Sequence, residues 1–332
     1  MTINSRKDNH IAVCLNKNVQ SESTNGFEKY RLVHNALPET NFEDIKTETV
    51  FLNQKIAAPI LISSITGGTE SGNRINRSLL EAANTLNIPF AMGSMRILLE
   101  EDSHGIYDNP RKYAPSIPVL ANVGAVQFNY GFSRDQCLRA IELIEANALI
   151  LHLNPLQEVL QSSKNTNFSG LLKKIDYLCS NFPVPIIVKE VGWGISDVVA
   201  KNLIDAGVQI IDVAGAGGTS WAKVEAEISG TETAEQLASP FFSWGIPTAQ
   251  CIEQIHARFP NISLIASGGI THGVDIWKAL LLGAKMIGIA GPLLAPANEG
   301  PQAVVSFLEI LVQQLRIAKF LSQTIVKEKD YD

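Results

Sequence analysis

Residues 212–221 read DVAGAGGTSW. The apolar run at 208–211 before them predicts a buried strand. Gly215, Gly217 and Gly218 then let the backbone turn at positive φ and approach a neighbour without a Cβ clash. Successive backbone N–H groups in such a turn form a concavity suited to a phosphate or a flat ring. Working outward, a second small-residue turn, Ser267–Gly268–Gly269, follows the apolar run 263–266, and a third, Ala290–Gly291, follows 286–289. Three such turns at the ends of strand candidates point to a phosphorylated cofactor at the C-terminal rim of a parallel barrel.

The same kind of run recurs along the chain. Residues 60–63, 89–92, 118–123, 148–153, 184–189, 208–213, 263–266 and 286–290 are short, nearly continuous and rich in β-branched or small residues. That is the pattern of parallel strands buried on both faces. Helical spacing separates them at 73–86, 135–146, 171–179, 197–206, 248–258 and 274–282. Eight strands alternating with helices predict an α/β chain, a (β/α)8 TIM barrel, with an open doubly wound sheet as the alternative. We read 1–332 as a single barrel domain. Residues 1–30 are polar and read as an arm over the mouth, not a core element. The connection 219–245 is too long for an ordinary barrel unit and reads as a lid-like insertion after the sixth strand.

Composition narrows the function. The formal charge of −6 is spread without basic clustering, which argues against nucleic-acid binding. Cys14, Cys137, Cys179 and Cys251 show no C-x-x-C spacing and read as reduced thiols of a cytoplasmic protein. The N-terminus shows no apolar leader. No window has the length of uncharged apolar chain that a membrane span needs. The segment 304–321 comes nearest, but Glu309, Gln313, Arg316 and Lys319 interrupt it, so it predicts an amphipathic helix.

Chemistry-bearing residues gather at the predicted strand ends. Gly268–Gly269 and Ala290–Gly291 follow the seventh and eighth strands, where barrels commonly hold phosphate through backbone N–H groups and a helix N-terminus. Relief of crowding is the plainer explanation for either turn alone. Lys189 ends the fifth strand, where it could pair with Glu190 or serve the site. A cation about 4 Å from an anion contributes about 4 kcal/mol at an effective dielectric of 20, before desolvation. His152 and Asn154 alternate on the fourth strand, so they share a side, and Gln157 and Glu158 open the next segment. An imidazole, amides and one carboxylate suit a diphosphate with Mg2+ held partly by substrate oxygens. Ser94 and Arg96 end the second strand and suit a phosphate. Asn122 ends the third strand and suits the edge of a heterocycle. Thr66–Gly67–Gly68–Thr69 ends the first. Arg6, Lys7 and His10 form a small basic cluster that matters if the arm folds over an anion.

Together these residues resemble the type 2, flavin-dependent isopentenyl-diphosphate isomerases. The matching stretches are RKDNH at 6–10, TGGT at 66–69, GSMR at 93–96, ANVG at 121–124, LHLNPLQE at 151–158, VKEVGWG at 188–194, DVAGAGGTSW at 212–221, ASGGI at 266–270 and GIAGP at 288–292. Ile65 departs from the methionine the family would place beside the flavin. The resemblance implies an enzyme that interconverts isopentenyl and dimethylallyl diphosphate, with reduced FMN, NADPH as reductant and Mg2+. It implies FMN held by Thr66, Gly67, Ser94, Asn122, Lys189, Thr219, Gly268, Gly269, Ala290 and Gly291. It implies substrate contacts from Arg6, Lys7, His10, Ser94, Arg96, His152 and Gln157, the metal on Glu158, and catalytic roles for His152, Gln157 and Lys189 beside the flavin. It also implies a homo-oligomer, a tetramer or octamer. The reaction needs a proton added at C4 and one lost at C2, in a site closed to water.

Two other functions stay in view. An FMN-dependent 2-hydroxy-acid oxidase needs a histidine base after the sixth strand, where this chain reads GAGGTSW. A non-catalytic barrel that binds a phosphate ligand would have no use for the LHLNPLQE cluster.

Overall fold

The computed structural model describes residues 3–100, 109–161 and 165–328; the first two residues of the predicted arm lie outside the described residues. Eight parallel strands close into a barrel: β1 Ile60–Ile62, β2 Phe90–Ala91, β3 Val119–Gly124, β4 Ala148–Leu153, β5 Ile186–Glu190, β6 Ile210–Asp212, β7 Ser263–Ser267 and β8 Met286–Ile289. Closure is made by β8 on β1, with Ile287 opposite Ile60. Each strand falls within or beside a predicted run. The open doubly wound sheet is excluded by that closure.

Alternation along the strands decides what faces the lumen. Leu61, Ala91, Leu120, Ile150, Ile187, Ile210, Ile265 and Met286 pack together inside the barrel. The antiparallel pair Thr49–Phe51 and Gln54–Ile56 adds Phe51 and Ile56 to that cluster and plugs the lower end. Two residues further along each strand, at the C-terminal ends, the same inward parity falls on Ser63, Asn122, His152, Lys189, Asp212 and Ser267. Polar chemistry therefore begins where the apolar plug stops.

Helices surround the barrel. Glu70–Leu86 starts three residues before the predicted 73, because Thr69 caps it by accepting from Gly72 N–H. The predicted amphipathic C-terminal helix spans Pro301–Leu321. Unforeseen in the sequence, Tyr30–Leu32 pairs antiparallel with Ile325–Lys327 and joins the two ends of the chain.

Two segments differ from the sequence reading. The polar first thirty residues contain a helix, Ile3–Asn16, and their end is anchored by Phe27, only 1% exposed. So part of that segment belongs to the core. The connection after β6 is not a loop but two helices, Trp221–Ser229 and Glu232–Ala238, followed by a short 3-10 turn. Their inner face packs through Trp193, Ala222, Ala226 and Ala238. The four cysteines are free thiols. Among the described residues no helix is long and apolar enough to cross a membrane.

Candidate active site

A cavity of 1290 Å³ opens at the C-terminal end of the barrel. Its lining includes Thr66, Gly67, Ser94, Arg96, Asn122, His152, Gln157, Glu158, Lys189, Thr219, Gly268, Gly269, Ala290 and Gly291 from the rim, and Arg6, Lys7 and His10 from the helix Ile3–Asn16. Every residue that the resemblance assigns to substrate, cofactor or metal thus borders one space, whereas Gly68, Thr69, Gly217 and Glu190 do not line it. The volume exceeds what a single drug-sized ligand fills, about 300–1,000 Å³, and suits two ligands side by side.

His152 is fixed by its neighbours. Asn122 Nδ2 donates to the Met92 carbonyl, which turns Asn122 Oδ1 toward His152 Nδ1, 2.8 Å away. Nδ1 is therefore the protonated nitrogen and Nε2 carries the lone pair. Burial, with the charges of Lys189 and Lys7, pushes its pKa down to about 4, so the ring is neutral at ordinary pH.

Lys189 does not pair with the Glu190 carboxylate. Its Nζ donates to the Glu190 carbonyl at 2.8 Å and faces Asp212 Oδ2 at 3.8 Å. The Glu190 side chain has outward parity and curls back instead. Its Oε2 accepts from the N–H groups of Val191, Gly192, Trp193 and Gly194 at 2.7, 2.7, 2.6 and 3.3 Å. Burial nevertheless lifts this carboxyl to about 7.

After β4, Asn154 Nδ2 donates to Glu158 Oε1 at 3.0 Å. Glu158 Oε2 and Asn154 Oδ1 are buried acceptors with no hydrogen-bond partner among the described residues. Burial raises the Glu158 carboxyl against the pull of Asn154, Arg96 and Arg6. One orphaned carboxylate oxygen and one orphaned amide oxygen are donors that suit an oxygen-preferring divalent cation. Among the described residues no cluster of three or more His, Cys, Asp or Glu could cage a metal, so a cation held here would need further ligands from a bound molecule or water.

Lys7 crosses the mouth from the N-terminal helix and donates to the carbonyls of Gly67 at 2.5 Å and Ser94 at 3.2 Å. Burial, then the charge of Arg96, lowers its pKa to about 8. Arg96 Nε pairs with Glu100 at 2.8 Å.

The glycines do two jobs. Gly268 has φ +106°, and a Cβ there would sit 2.1 Å from the Gly215 carbonyl; one on Gly217 would sit 2.3 Å from Asn25 N. Crowding between the β6 and β7 turns thus accounts for much of DVAGAGG. A Cβ on Gly291 would meet only Thr219 Oγ1, at 3.2 Å, so this glycine is less constrained by the fold. The helix after β7 has two of its first-turn N–H groups already taken. In Gly273–Leu281, Gln314 takes the Gly273 N–H and His272 takes that of Asp275. Gly291–Glu299, after β8, begins at the rim with no side-chain cap, as does Pro155–Leu160 after β4.

Sequence reasoning missed Glu225. This buried carboxylate on Trp221–Ser229 accepts from Arg6 Nη2 at 2.7 Å, Gln157 Nε2 at 3.1 Å and Gln161 Nε2 at 2.9 Å, and meets His10 Nε2 at 3.1 Å. Burial raises its pKa, but His10 and Arg6 outweigh that and the net shift is downward. The only available signal was a carboxylate set between Ala222, Val224 and Ala226 directly after the glycine turn. It also missed Asp212, fully buried on β6.

The chain matches the family of FMN-dependent dehydrogenases over residues 146–322. It is 49% identical over 317 residues to the isopentenyl-diphosphate delta-isomerase of Nostoc sp., covering 95% of this chain and 91% of that protein. It is 48% identical to the enzyme of that name from Pseudescherichia vulneris, with the same coverage. Among solved structures, flavocytochrome b2 with pyruvate bound superposes with a TM-score of 0.67 at 16% identity, over 94% of this chain and 78% of that one. A mandelate oxidase variant gives 0.63 at 18%, over 97% and 95%. At that identity these two structures establish the barrel and nothing of their chemistry. The histidines that could serve a hydroxy-acid oxidase, His256 and His272, lie outside the cavity lining, which holds His10 and His152. The high-identity matches run nearly end to end through the residues gathered around that lining: this chain belongs to the isopentenyl-diphosphate delta-isomerase family, in its FMN-dependent, type 2 branch.

Proposed function

We propose that the protein interconverts isopentenyl and dimethylallyl diphosphate, using reduced FMN and Mg2+, with NADPH reducing the flavin. The observation that carries this reading is the meeting of Arg6, Lys7 and Arg96 with the orphaned oxygens of Glu158 and Asn154 at one mouth. The basic side chains there would neutralise a diphosphate, and Glu158 and Asn154 would hold the Mg2+, which would supply further positive charge to it.

FMN fits the remaining part of the cavity. Gly268, Gly269, Ala290, Gly291 and the open N-terminus of Gly291–Glu299 would hold its phosphate. Thr66, Gly67, Ser94, Asn122, Lys189 and Thr219 would hold the ring and ribityl chain. When bound and reduced, FMN supplies an electron-rich ring able to exchange a proton with an alkene. The chain's own residues do the rest. Arg6, Lys7, His10, Ser94 and Arg96 bind the diphosphate end. His152, neutral with Nε2 open, and Gln157, held by Glu225, orient substrate and its proton traffic. Lys189 places positive charge at the lumen floor. Trp221, Ile11 and Val19 give the cavity an apolar wall that keeps water from a cationic intermediate.

The N-terminal helix and the two helices after β6 serve as the cover of a single-domain enzyme. The free thiols and the absence of a membrane-length helix among the described residues support a cytoplasmic setting, and we infer a homo-oligomer, a tetramer or octamer. The purified protein should be yellow. It should convert isopentenyl diphosphate only with Mg2+ and a flavin reductant. Colourless protein that takes up no FMN overturns the proposal.

A further inference from the structure

Lys189 and Asp212 stand opposite each other on β5 and β6, both with inward parity. Asp212 is 0% exposed. Its Oδ1 accepts from Ser267 Oγ on β7 at 2.5 Å. Its Oδ2 has no hydrogen bond among the described residues, only the Lys189 ammonium at 3.8 Å. A buried carboxylate that receives the Ser267 hydroxyl and the Ala214 backbone N–H still depends on its one cation for charge compensation. The converse holds for Lys189. Its Nζ is tied behind by the Glu190 carbonyl and Asp212, while its exposed side borders the cavity. The three residues form a relay across three adjacent strands, Ser267 to Asp212 to Lys189.

We propose that Asp212 is a positioning residue that restrains the Lys189 ammonium and sets how much of its positive charge reaches the FMN ring. The inference rests on the FMN reading above. A negative charge behind Lys189 opposes accumulation of negative charge on the reduced ring in front of it. Burial raises the Asp212 carboxyl, yet Lys189 and Ser267 both favour its charged form. Removing that charge while keeping its shape therefore makes the lumen floor more positive.

The test is the two-electron reduction potential of bound FMN, read with reference dyes in purified holoprotein, which does not depend on turnover. Asp212→Asn should bind the reduced flavin about tenfold more tightly relative to the oxidised form, a potential about 30 mV more positive. In a Lys189→Gln background burial, no longer opposed by the cation, favours the protonated Asp212 carboxyl, so the same change should give no further shift. Should Asp212→Asn not fold, Ser267→Ala serves. Without the hydroxyl donor the carboxylate turns wholly to Lys189, and the potential should become more negative. Normal FMN content with an unmoved potential, or an equal Asp212→Asn shift without Lys189, overturns the inference and leaves the FMN reading standing. Wild-type protein that binds no FMN removes both.

Discussion

Arg6 Nη2 lies 2.7 Å from Glu225 Oε2, joining residues 219 positions apart. This contact fastens the N-terminal helix to the helix that follows β6. His10 reinforces it, reaching the same carboxylate while its ring meets Trp221 edge-on at 5.3 Å.

Glu225→Gln should loosen that cover. A hydrogen bond to a charged group contributes about 1.5–3 kcal/mol, so losing one raises KM for the diphosphate about tenfold or more. Hydrogen exchange of the amides in Ile3–Asn16 should quicken, with FMN content unchanged. Unaltered protection of that helix would remove the latch role.

Lys7 should impose an alkaline limb. Its pKa of about 8 means it loses its charge as pH rises through 8, and kcat/KM for a diphosphate should fall there. Stability runs the other way. With the folded pKa below the unfolded 10.5, the unfolded chain binds more protons between the two values, so stability rises from pH 8 to 10.5. Lys7→Gln should flatten the limb near pH 8; a profile unchanged by the substitution assigns it to another group.

Glu158→Gln should weaken Mg2+ binding and remove most activity. Turnover at saturating Mg2+ should drop about 100-fold or more, with flavin content at the wild-type level. A Mg2+ titration of the variant with an unaltered half-saturation point would place the metal elsewhere.

Glu190 should matter for stability before chemistry. Glu190→Ala strips an acceptor from four N–H groups; Gly194 keeps the Ala214 carbonyl at 3.0 Å, but Val191, Gly192 and Trp193 lose this partner, and buried donors left unpaired cost about 1–3 kcal/mol each. Loss of about 3 kcal/mol or more is expected by denaturant unfolding, and less for Glu190→Gln, which keeps a carbonyl oxygen. Because burial raises this carboxyl to about 7, its contribution is full below pH 4.5 and is lost as pH rises through 7. The pH slope should therefore shrink in Glu190→Gln.

Much of this architecture was legible in the chain. The apolar runs at 148–153 and 184–189 could be little else than buried parallel strands, and period-two parity put His152 on the same side as Asn154. The helix Ile3–Asn16 was not legible, because its polar face is held by long-range partners instead of by an apolar stripe. Glu225 was hidden for the same reason: its meaning lies in Arg6 and Gln157, remote in sequence. The glycines of DVAGAGG misled in part. Gly215 is needed because its turn packs against Thr248, where a Cβ would come within 2.5 Å, which no local pattern reveals.

The most direct test of the central claim is the absorption spectrum of the reduced, FMN-loaded protein as isopentenyl diphosphate is added with Mg2+. If flavin and diphosphate share the one cavity, the spectrum changes saturably, and Glu158→Gln weakens the response. A spectrum that stays the same at saturating substrate, in protein that nonetheless turns over, would contradict the account.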